Sequence, residues 1–425
     1  MSAFDKVIGY ESIKEELLQI CDMIKNEAVY TKLGARLPHG VLLDGDPGLG
    51  KTLLARCFIK ESGLCSFTVR KRSSGEVFVD EITSVYLKAK KSAPAIVFLD
   101  DMDKFANEDY GHRDTPEYVA IQSCIDDCKD LPVFTIATTN DIRKLPRSLV
   151  RSGRFDRKIC IETPNEKDAE EIIKYFLSDK KLSDSVNMQD LSKMISYSSC
   201  AKLENIINEA AISAAYKRQD KIEMQDLVKV VLRLQYDFSD SYMKVSKEEL
   251  KKRAMHEAGH LVVSEVLSEG CVGLASICTA DENTGGFIHL CKSQSEYSHR
   301  ILTALAGKTA VELYYADDFA DGCASDLQKA VRLIRNEMSY CSSQGLGFVL
   351  PTDKEEFDES EEYRRRCESI VYAELERYML KAKDILLKNR AFLELAADAL
   401  AEKENLLYSD IREIRELTGV VKAAA

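Results

Sequence analysis

The chain has 425 residues, 45% of them hydrophobic, with a net charge of -12. That is length for about three domains and enough apolar material for their cores. A sequence pI near 5.3 argues against the basic footprint that nucleic-acid binding needs. The 13 cysteines lie scattered through apolar segments with no C-x-x-C pair, and no signal peptide opens the chain. This speaks against a disulfide framework and a thiolate zinc site, and for reduced thiols in the cytoplasm.

In chain order, residues 1–163 alternate short β-rich runs with helical stretches. Strands are predicted at 41–44, 65–70, 95–100, 133–139 and 158–163. Each is too apolar to be half-exposed, which implies a parallel sheet covered on both faces, a doubly wound α/β domain. Residues 164–236 turn helical. Leu203, Ile206, Ile207, Ala210, Ala211 and Ala214 fall on one stripe at helical spacing, as in a small helical subdomain. Residues 237–246 are polar and irregular, a linker. From 247 to 425 helices dominate again, interrupted by a β-like stretch over 273–290, whose "GGFIHL" is expected to be an edge strand. The acidic run 353–366 reads as a solvated surface segment. No apolar run approaches the roughly 18 residues of a membrane span.

The strongest local signal is "VLLDGDPGLGKTLLARCF". It sets a phosphate-binding loop, Gly45, Asp46, Pro47, Gly48, Leu49, Gly50, Lys51 and Thr52 with Leu53 following, between a strand and a helix. Backbone N–H groups of such a loop favour phosphate oxygens. Lys51 would neutralise the β and γ phosphates of ATP, and Thr52 would ligate Mg²⁺. About fifty residues on, "AIVFLDD" ends a strand in Asp100, which would hold magnesium, and Asp101, placed to polarise the attacking water. Further along, Asn140 would orient water or meet the γ-phosphate. Arg151 and Arg154, three apart, would face one way and stabilise charge on the transferring phosphoryl group.

Together these pieces resemble an AAA+ ATPase over residues 4–236. The resemblance implies that the arginines reach a neighbouring subunit's nucleotide, hence a ring, and a homohexamer as its usual form. It also implies adenine contacts from Ile8 and Gly9. Asp46 stands where the family prefers Pro. Cys200 and Lys202 replace its Gly and Asp near the lid's nucleotide contact. Asp101 replaces Glu and is one methylene shorter.

A second chemistry lies in "RAMHEAGHLVVSEVL". On a helix His256 and His260 share a face and can bind one Zn²⁺, with Glu257 as general base. A catalytic zinc needs a third protein ligand. Ser325 and Gln328 are spaced as a capping box, which would leave Asp326 in the first turn of a helix with a free carboxylate. The segment resembles the zinc peptidase domain of the FtsH-type AAA proteases, whose pattern places such an Asp about seventy residues after HEAGH. The match covers nearly the whole chain.

The resemblance implies an α/β P-loop AAA+ domain (1–163) with a helical lid subdomain (164–236), then a linker (237–246) and a mainly α-helical zinc metallopeptidase domain (247–425). It implies an ATP-dependent zinc endopeptidase that unfolds, translocates and hydrolyses unfolded or damaged proteins, with Phe78 gripping substrate in the ring's pore. Membrane association is expected only if native transmembrane helices lie outside this chain. Two other readings remain: a zinc peptidase whose ring binds ATP but hydrolyses it poorly, and a remodelling chaperone.

Overall fold

A computed structural model describes residues 2–71, 75–107, 115–238, 246–278, 286–315, 323–341 and 361–422. The expected linker and acidic run lie largely outside them. Two compact units emerge, Met1–Lys180 with Tyr197–Asn208, and Lys181–Ser196 with Glu209–Ala425.

The first unit carries α1 (Glu11–Lys25), α2 (Glu27–Lys32), β1 (Gly40–Asp44), α3 (Lys51–Ser62), β2 (Cys65–Val69), α4 (Glu76–Lys91), β3 (Ala95–Leu99), α5 (Thr115–Asp126), β4 (Val133–Thr139), β5 (Arg157–Cys160) and α6 (Glu166–Leu177). All five expected strands form, pair in parallel and lie in the order β2-β3-β4-β1-β5. Because β4 sits between β1 and β3, the segments leaving these three strands at their carboxyl ends emerge side by side. That edge is where open α/β sheets bind ligands.

The expectation that every strand is covered on both faces holds for β1, β3 and β4 and fails at the rims. In β2 only Val69 is fully buried, and in β5 only Ile159. A rim strand has one neighbour, and its Ser, Thr, Arg and Lys side chains face water.

The helical stretch after the sheet continues with α7 (Met188–Met194), α8 (Cys200–Tyr216) and α9 (Met224–Gln235). Of the predicted α8 stripe, Leu203, Ile206, Ile207, Ala210 and Ala214 are buried.

The second unit continues with α10 (Lys247–Leu267), β6 (Val272–Ser276), β7 (Phe287–Leu290), α11 (Tyr297–Tyr314), α12 (Ala324–Cys341), α13 (Glu361–Lys388), α14 (Arg390–Lys403), β8 (Asn405–Leu407) and α15 (Tyr408–Thr418). α10 starts where the Ser246 hydroxyl accepts the Glu249 N–H at 3.1 Å. Its apolar residues, Leu261, Val262 and Val263 among them, join Ile301 and Leu305 of α11 and Phe392 and Leu393 of α14 in one core. A small antiparallel sheet has the order β7-β6-β8, so β7 is at its edge as expected. Among the described residues no helix is long and apolar enough to cross a membrane.

Candidate functional site

The phosphate loop forms as the motif requires. Gly45 has φ +151°, and a Cβ there would collide with the Ile161 carbonyl just beyond β5. Lys51 opens α3 and donates from Nζ to the carbonyls of Gly45 (2.6 Å) and Asp46 (2.7 Å). Burial lowers its pKa, opposed by the carboxylates of Asp101 and Asp103. Thr52 donates to Asp100 Oδ1 at 3.1 Å, and Thr138 of β4 reaches the same oxygen at 3.1 Å. Asp100 is 1% exposed, and its other oxygen accepts from Arg70.

Asp101 adopts a left-handed backbone, φ +56°, and its carboxylate pairs with Lys104 at 2.6 Å. Asn140 follows β4, and its backbone N–H donates to Asp103 Oδ1 at 3.1 Å. The P-loop, Asp100, Asp101 and Asn140 therefore share one edge of the sheet.

A cavity of about 800 Å³ adjoins the loop, lined by Ile8, Tyr10, Gly48, Leu49, Tyr175 and Cys200 among others. Its size and apolar walls suit an adenine ring. Gly9 is buried beside it, and Tyr10 closes it by donating to the Glu162 carbonyl at 3.1 Å, with its hydroxyl 3.6 Å from Cys200 Sγ. The Ala201 N–H donates to the Gly48 carbonyl at 3.0 Å, tying the start of α8 to the loop.

In the second unit His256, His260 and Asp326 present ligand atoms within 4.8 Å of one another. Both histidine Nε2 atoms lie 3.1 Å from Asp326 Oδ2 and 3.0 Å from each other. Two imidazoles and a carboxylate converging on one point suit zinc with a further position open. The Thr303 carbonyl lies 2.6 Å from His260 Nδ1, an acceptor that directs the other nitrogen inward. Cys323 Sγ stands 3.8 Å from His256 Nδ1.

Burial is the largest single influence and opposes charge on both imidazoles, yet Asp326, Glu257 and the other hydrogen-bond partners together outweigh it and lift His260 to about 9. Asp326 is held well below the usual carboxylate range: burial opposes this, and the two histidines prevail. Glu257 is 3% exposed, and burial raises its pKa despite the neighbouring histidines.

Residues 41–163 match the family model described as ATPase family associated with various cellular activities, and residues 243–414 match Peptidase family M41. The ATP-dependent zinc metalloprotease FtsH of Caldicellulosiruptor bescii is 31% identical over 97% of this chain and 71% of that protein. Those of Mycoplasma pneumoniae (32%, 98% of this chain, 62% of that protein) and Chloroflexus aggregans (31%, 98% and 69%) are similar. The chain belongs to the FtsH family of ATP-dependent zinc metalloproteases. Zinc and ATP are the cofactors this membership entails, magnesium being usual with ATP. The matched span is 62–71% of these three relatives' own length. Neither the chaperone reading nor the idle-ring reading is favoured.

Against the expectations for an FtsH-family chain, three local readings are corrected. Phe78 lies in α4, fully buried, its ring 5.3 Å from that of Phe105 in an edge-on contact. A ring packed in the core is not free to grip a substrate. Arg154 is 5% exposed and holds Asp126 of α5 through two nitrogens, at 3.1 and 2.6 Å. Arg151 is exposed, so the two arginines do not face one way. Their segment is a turn and not a helix, which voids the spacing argument. Finally, α12 starts at Ala324, so Ser325 falls inside the helix and does not cap it, although Asp326 does occupy the first turn.

Sequence reasoning also missed Gly307 on α11. A Cβ there would crowd His260 Nε2 and lie 2.6 Å from His256 Nε2, so any side chain at this position would push the histidine pair out of its present arrangement. Thr138 and Arg70, both on Asp100, were missed as well. The threonines closing β4 were the available hint to Thr138. Nothing local marks Gly307 in "ALAGKTA".

Proposed function

We propose that the chain acts as an ATP-driven zinc endopeptidase. It assembles as a homohexamer and works on unfolded or damaged polypeptides, which it unfolds, translocates and cleaves. The observation that carries this is the convergence of His256, His260 and Asp326 beside buried Glu257, in the same chain as an intact phosphate loop.

His256, His260 and Asp326 are the residues to hold zinc, which when bound supplies Lewis acidity to the scissile carbonyl. Glu257 takes the proton of the attacking water and passes it to the leaving amine. Burial suits it to both halves of that task, because a raised pKa brings proton uptake nearer to neutral pH. The outer edge of β7, the end strand of its sheet among the described residues, offers backbone groups to an extended substrate, and the Gly286 backbone just before that strand lies against Glu257.

At the nucleotide site, Ile8 and Gly9 contact adenine, and the backbone from Gly45 to Leu53 holds the phosphates together with Lys51. Thr52 and Asp100 face Mg²⁺. Asn140 and Asp101 orient water, and exposed Arg151 reaches the neighbouring subunit's nucleotide. Phe78 takes no part. The 12 free cysteines among the described residues support a reducing, cytoplasmic setting.

Zinc-loaded protein should cleave a short fluorogenic peptide, a chelator should abolish cleavage, and added zinc should restore it. Cleavage that survives chelation would defeat the reading. Asp101 also makes its own prediction. Its short carboxylate is engaged with Lys104, so Asp101→Glu should raise ATP turnover severalfold. Unchanged turnover in a phosphate-release assay would show that the aspartate already reaches the water.

A further inference from the structure

The Asp100 carboxylate is fully engaged. Its Oδ1 accepts from Thr52 and Thr138, each at 3.1 Å, and its Oδ2 accepts from Arg70 Nε at 3.1 Å and from Arg70 Nη2. Asp100 is 1% exposed, and a carboxylate that deep needs a cation beside it. Arg70, at the end of β2, provides one. Its own side chain is 52% exposed, so it can leave.

Next to this pair lies a cavity of about 360 Å³, lined by Arg56, Lys60, Arg70, Glu81 and Asp100 among others. Among the described residues that line it, Glu81 on α4 is the only acid besides Asp100, and it makes no ion pair among the described residues.

We infer that Arg70 is a displaceable counter-ion, seated on Asp100 until a divalent cation competes for that carboxylate, and then received by Glu81 across the adjoining cavity. The inference rests on the proposed reading of Asp100 as the residue that faces magnesium. A guanidinium and Mg²⁺ on one buried carboxylate repel each other strongly, because little water screens them. Exposed Arg56 and Lys60 repel the guanidinium in the cavity and hold the two seats near balance. Arg70 therefore sets how much magnesium the nucleotide site requires. Its move to Glu81 also reports magnesium arrival to α4.

The test is binding of a fluorescent ADP analogue to the full chain, titrated with magnesium, for wild type, Arg70→Gln, Glu81→Gln and the double variant. Loss of a charge-assisted competitor should lower the half-saturating magnesium about tenfold in Arg70→Gln. Glu81→Gln removes the second seat and should raise it. The double variant should match Arg70→Gln, because Glu81 acts only through the arginine.

Melting curves provide an independent readout. Without magnesium, Arg70→Gln should melt lower than wild type and gain more from magnesium alone. If that variant folds poorly, Arg70→Lys keeps a charge but not the fork, and should need an intermediate amount of magnesium. An unchanged or higher magnesium requirement in Arg70→Gln, with nucleotide still bound, overturns the inference and leaves the ATPase reading standing. Failure of every variant and of wild type to bind nucleotide would remove both.

Discussion

Replacing Glu257 with Gln should lower peptide cleavage by about 10²–10⁴-fold, the usual worth of a positioned general base. Zinc content should not change, because Glu257 is not among the three groups that converge. The amide keeps the size and burial of the side chain, so packing around Gly286 and α10 is retained. Only the capacity to accept a proton is lost. Cleavage and zinc measured on the same preparation separate this from misfolding: full zinc with lost activity is the expected pair. Full activity with full zinc would mean that another group takes the proton.

Gly307→Ala should be nearly as damaging, for a different reason. In the interior of α11 alanine is the better helix former by about 1 kcal/mol, and propensity alone would forecast a more stable protein. The metal site reverses that forecast. The new methyl would stand 2.6 Å from His256 Nε2 and closer still to His260 Nε2, where a zinc ion's ligand atoms must meet. Overpacking typically costs about 1–3 kcal/mol, and here the imidazoles would have to swing away from Asp326 to relieve it. Bound zinc measured by atomic absorption should fall to a small fraction of the wild-type value, with cleavage lost in parallel and far-ultraviolet circular dichroism preserved. Retained zinc would show that the histidines have another way to reach it.

The parts of this protein that chemistry confines to one short stretch were legible in its sequence. Five apolar runs became the five strands, and the P-loop and HEAGH segments sit at a strand-to-helix turn and on a helix, as their spacing demanded. Asp326 was found through a capping box that does not form: its helix starts two residues earlier than that box implies, yet the first-turn position survives. What could not be read locally depends on distant partners. Arg154 looks like any surface arginine until Asp126, 28 residues away, folds against it. Phe78 looks like an exposed aromatic until α4 turns it onto Phe105. Gly307 lies 47 residues from His260 in a sequence that reads as ordinary helix, and only the close approach of α10 and α11 makes its missing side chain matter.

The central claim is that one chain couples ATP turnover to proteolysis. Its most direct test is the degradation of a fluorescent, loosely folded protein by the zinc-loaded enzyme, with and without ATP, at a protein concentration high enough to favour assembly. Degradation strongly accelerated by ATP is the predicted result. Cleavage of short peptides with the protein substrate spared, whether or not ATP is present, would contradict it.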